Sequence, residues 1–85
     1  MTKQTIKLAD AKKLAFAVTD LKVFQCTDLQ WIVTMRLNAP GYAEAVGLET
    51  FRGELRLFKS ADAAIKAAKE IGFDGRIWVD WADGL

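Results

Sequence analysis

Arg36, Arg56, Phe58 and Trp78 are the side chains whose types suit recognition best, and Asp80 and Asp83 are the acids nearest the last of them in sequence. Aromatics beside arginines stack bases and contact phosphates in many single-strand binders, and the same mixture forms the energetic centre of protein interfaces. Alternation along the strands places Arg36, Arg56, Phe58 and Trp78 on the side away from the core, together with Ile32, Thr34 and Phe51. Three readings are open at this point: a protein partner, a nucleic acid, or cover by the first helix or a second copy of the chain. The run Trp78, Asp80, Trp81, Asp83 and Leu85 adds a short acidic and aromatic C-terminus. Such a run suits a basic groove with an apolar anchor, or is simply a strand end with a frayed tail.

Catalytic chemistry has little to work with. The chain has no histidine and one cysteine, which excludes a His-containing zinc site, a Ser-His or Cys-His nucleophile pair and an internal disulfide. Cys26 falls within a predicted strand with no basic cluster beside it, so it is expected to be a small buried hydrophobe. Asp74, Asp80 and Asp83 lack the spacing of a calcium loop, and Gly41, Gly47 and Gly53 do not lead into a helix as a phosphate loop does. The expectation is a non-enzyme with no cofactor and no metal.

The elements that must position these residues can be read from caps and periodicity. Ser60 is a suitable N-cap and Gly72 a suitable left-handed C′ residue, which predicts a helix between them, with Phe73 packing back on Ala68. Its apolar stripe is Ala61, Ala64, Ile65, Ala68 and Ile71, small enough for close approach to a sheet. Val46 to Lys59 reads as a hairpin turning at Arg52-Gly53, with Glu49 opposite Arg56, Leu48 opposite Leu57 and Gly47 opposite Phe58. That register sends Leu48, Leu55 and Leu57 to the core and Glu49, Phe51, Arg56 and Phe58 to the other face. Gln30 to Leu37 alternates as a half-buried strand, Lys22 to Thr27 pairs with it, and Arg76 to Trp81 forms a last strand. Asn38 to Gly41 is a turn, and Leu8 to Thr19 fits helix or strand, with alanine and lysine content favouring helix. The order α-β-β-β-β-α-β predicts an α+β domain: an antiparallel sheet of about five strands with one or two helices on one side and one face open.

Size and charge bound the partners. Eighty-five residues and a 52% hydrophobic count suit a single globular domain, residues 1–85, and the pattern is not that of a disordered chain. No apolar run is long enough for a transmembrane helix and no secretory signal is visible, so a cytoplasmic protein with no membrane partner is expected. Net charge is +1, with lysines concentrated early and aspartates late, which supplies neither a broad field for phosphate nor a DNA-mimicking acidic surface.

The run from Gly47 through Arg52-Gly53-Glu54-Leu55-Arg56-Leu57-Phe58 and the Ser60 to Gly72 helix to Phe73 resembles small accessory proteins of bacterial plasmids and other mobile elements. Anti-CRISPR proteins are similar in length and in lacking catalytic residues. The resemblance implies a setting, a mobile-element protein that handles DNA or the host machinery acting on it, and assigns no residue a role. The expected function is therefore an interaction protein that blocks or modulates a host nucleic-acid-handling protein or ribonucleoprotein complex. The alternative is a DNA- or RNA-binding replication or partition accessory, and a homodimer is compatible with either.

Overall fold

The computed structural model describes residues 2–27 and 29–81. Period-two burial builds its centre. In β2 (Val18–Thr27) Leu21 and Val23 point inward, and in β3 (Gln30–Leu37) Trp31, Val33, Met35 and Leu37 do the same. These two strands pair antiparallel, with Val23 opposite Val33 and Lys22 opposite Thr34. The chain then turns through Gly41, at φ 86°, into β4 (Tyr42–Glu49), antiparallel to β3. Two edge strands complete the sheet: β1 (Lys3–Lys7) runs parallel to β4, and β5 (Ile77–Asp80) runs parallel to β2. The order across the sheet is β1-β4-β3-β2-β5.

Both helices lie on one face. In α2 (Ala61–Glu70) the Ser60 hydroxyl accepts a 3.1 Å hydrogen bond from the Ala63 amide, and the helix ends at Gly72 with φ 88°. Ala64, Ala67, Ala68 and Ile71 are buried against β2 and β3, because an alanine stripe lets the helix axis approach the sheet closely. Phe73 is half-buried against the same core. The short α1 (Leu8–Lys13) follows β1 directly and contributes Ala11 to that core, and a 3₁₀ turn at Ala15–Ala17 leads into β2.

The α+β class and the number of strands agree with the expectation, but the second arm of the expected hairpin forms only isolated bridges at Leu55 and Phe58, its place in the count is taken by β1, and four details differ. The first element is a strand, giving β-α-β-β-β-α-β. Its only fully buried side chain is Ile6, so Lys3-Gln4-Thr5-Ile6-Lys7 carries almost no hydrophobic signal. The sheet is mixed, since helical crossovers set both edge strands parallel to their neighbours. Leu8 to Thr19 divides into α1, the 3₁₀ turn and the start of β2.

The predicted hairpin is the fourth correction. Gly53 donates to the Thr50 carbonyl at 2.9 Å and Thr50 donates to the Glu54 carbonyl at 2.7 Å, so the loop holds three residues with Gly53 left-handed at φ 85°. This is a type I turn followed by a glycine bulge rather than a two-residue turn. The Thr50 hydroxyl also accepts from the Arg52 and Glu54 amides. The extra residue shifts the register by one: Glu49 lies opposite Leu55, and Phe58 bridges to Trp31 on β3. A one-residue slip reverses every side chain. Phe58 is therefore buried in the core, while Leu55 and Leu57 are exposed. Leu55, not Phe58, covers Gly47, where a Cβ would collide with Leu55 Cδ1. Glu49 accepts a 2.6 Å hydrogen bond from the Thr5 hydroxyl rather than facing Arg56.

Candidate functional site

The sheet face opposite the helices is built by residues that alternate with the core positions. Register sets Asp20 beside Arg36 and Arg36 beside Ala45. In the next rows Lys22 lies between Thr34 and Trp78, and Phe24 between Ile32 and Asp80. Among the described residues no helix covers this face. Asp20, Lys22, Thr34, Arg36, Ala45, Trp78 and Asp80 border a shallow depression of about 700 Å³ on it.

Trp78 is the principal apolar feature of the depression, with 55% of its surface exposed on the edge strand. Phe24 and Ile32 extend the apolar patch on the neighbouring strands, half-exposed and half-buried respectively. The charges around them are matched in sign. Lys22 Nζ lies 3.9 Å from Asp80 Oδ2, and Arg36 Nη1 donates to Glu44 Oε1 at 3.1 Å. All four side chains are about half exposed or more, so each pair contributes at most about 1 kcal/mol, and what they chiefly determine is the local field. With a carboxylate held against each of these two cations, and Asp20 facing Arg36, the face carries no concentrated positive potential.

The structure gathers Arg36 and Trp78 on one face, as expected, with Ile32 and Thr34 among them, and places Asp80 of the C-terminal run there too. It does not bring Arg56 and Phe58 there. Their guanidinium and ring stack on each other 4.7 Å apart beside the core, where Phe58 is only 6% exposed. Phe51 projects from the turn at 85% exposure, with the Arg52 guanidinium 5.9 Å from its ring. Asp83 and Leu85 lie outside the described residues. Cys26 is exposed rather than buried, because it alternates with the core positions on the same parity as Lys22 and Phe24 and sits at a register irregularity between Gln25 and Thr27. Sequence reasoning missed Asp20, Lys22, Phe24 and Glu44. The signal for Lys22 and Phe24 was their alternation with Leu21 and Val23.

Among the described residues no group of three or more histidine, cysteine or acidic side chains converges to hold a metal ion. No helix there is long and apolar enough to cross a membrane. No family model matches the chain, and neither the curated proteins nor the solved structures compared with it include a match.

Proposed function

We propose that this chain is a non-enzymatic binding module that uses the open sheet face to occupy a protein surface. One observation carries the reading: a half-exposed tryptophan borders a depression whose two nearest cations each have a carboxylate partner. An aromatic anchor within a rim of balanced charge matches the composition of protein-interface centres. Nucleic acid recognition instead relies on cations left free to displace counterions from phosphate. The context proposed is a bacterial mobile element, on the resemblance of residues 47–73, and the partner is a host protein or ribonucleoprotein complex that handles nucleic acid, inhibited or modulated as by an anti-CRISPR protein. A cytoplasmic site of action belongs to the same proposal.

The second reading, direct binding of single-stranded DNA or RNA, is favoured by the aromatic pair Phe24 and Trp78 beside Lys22 and Arg36, since stacking platforms next to cations hold unpaired bases. Titration with labelled single strands in physiological salt separates the two. The protein reading predicts no saturable binding below about 10 µM, consistent with weak non-specific affinity. Submicromolar binding that is lost in Arg36→Ala and weakens steeply with salt would replace it with the nucleic acid reading.

A further inference from the structure

The two edges of the sheet are built differently. β1 has a lysine at each end and runs straight into α1, features that discourage another strand from adding to it. β5 has the sequence Ile77-Trp78-Val79-Asp80 with Trp81 following, carries no lysine, and has β2 as its one neighbour among the described residues. Trp78, Val79 and Trp81 are 55%, 37% and 62% exposed, so this edge presents apolar surface on both sides of a backbone ladder that is unpaired among the described residues. Trp81 also packs edge-on against Trp31 with ring centroids 4.8 Å apart, which holds the end of the strand against the core.

We infer that β5 pairs antiparallel with β5 of a second copy of this chain, in a register centred on Trp78. A two-fold axis normal to the sheet at that residue places Trp78 against the partner's Trp78 and Ile77 against the partner's Val79. Arg76 then faces the partner's Asp80 at each end, so two ion pairs form by symmetry. Neighbouring registers lose this match. Centring on Ile77 sets Asp74 against the partner's Asp80, two like charges, and centring on Val79 sets Asp80 against the partner's Trp78. Arg76 and Asp80 alternate with Ile77 and Val79, so the pairs lie with Trp78 on the open side. The axis normal to the sheet joins two open faces into one ten-stranded surface. The pairing needs no outside partner, and it stands or falls separately from the docking reading.

Charge reversal across the two-fold tests both the dimer and its register. In sedimentation velocity at about 50 µM, a concentration that populates micromolar complexes, the wild type is expected at twice 9.4 kDa. Arg76→Glu alone and Asp80→Lys alone each set like charges against each other at both ends and are expected to weaken association about tenfold or more. Mixing the two variants restores opposite charges at both ends, and a heterodimer of wild-type affinity is expected. That recovery also shows that both variants fold. A wild type monomeric at 50 µM, single variants that associate as well as wild type, or a mixture that stays monomeric would each overturn the inference.

Discussion

Phe58 and Trp78 are both large aromatics next to strand residues, yet one is 6% and the other 55% exposed. The difference assigns Phe58 to stability and leaves Trp78 available for the recognition proposed above. Phe58→Ala should lower the unfolding free energy in urea by about 3 to 5 kcal/mol, through lost burial and the cavity left against Trp31. Trp78→Ala should change it by no more than about 1 kcal/mol. Equal losses would contradict this division. The same residue-by-residue logic relocates a polar contact: Thr5 and Glu49 should show a coupling on the order of 1 kcal/mol in a double-mutant cycle with Thr5→Val and Glu49→Ala. Glu49 and Arg56 should be additive within about 0.5 kcal/mol, because the Arg56 guanidinium stacks on Phe58 instead.

At the scale of elements, what could be read from the sequence was whatever is encoded locally. The α2 caps are single residues with a defined geometry, and Gly72→Val should destabilise by at least about 1 kcal/mol in thermal melting because it forces a β-branched residue to φ 88°. Strand β3 and the Asn38 to Gly41 turn were equally legible, from strict alternation and from turn chemistry. The register after β4 was not. Arg52-Gly53 suits either a two-residue turn or the third position of a bulged one, and the choice depends on Thr50 closing the loop with its hydroxyl and on Phe58 reaching Trp31. Gly53→Val should therefore cost at least about 1 kcal/mol, as a left-handed bulge requires. That single residue decided two of the six candidate positions: Arg36 and Trp78 kept their expected face, and Arg56 and Phe58 moved to the other. Strand β1 escaped notice because its pairing with β4 lies about forty residues away in sequence and only Ile6 is fully buried.

For the whole molecule, the decisive arrangement is two helices on one side of a five-stranded sheet and matched charges on the other. A net charge of +1 was visible in the sequence, but the pairing of Lys22 with Asp80 and of Arg36 with Glu44 required the order in which strands distant in sequence lie side by side. That pairing is the basis of the proposal that the face of arginine and tryptophan takes a protein partner. The most direct test of the docking claim is affinity capture from nuclease-treated bacterial lysate in moderate salt, comparing wild type with Trp78→Ala and with Lys66→Ala, a change on the exposed side of α2. The account predicts one set of bound proteins that survives nuclease, persists with Lys66→Ala and is lost with Trp78→Ala. Capture that disappears on nuclease treatment, or that is indifferent to Trp78, would contradict it.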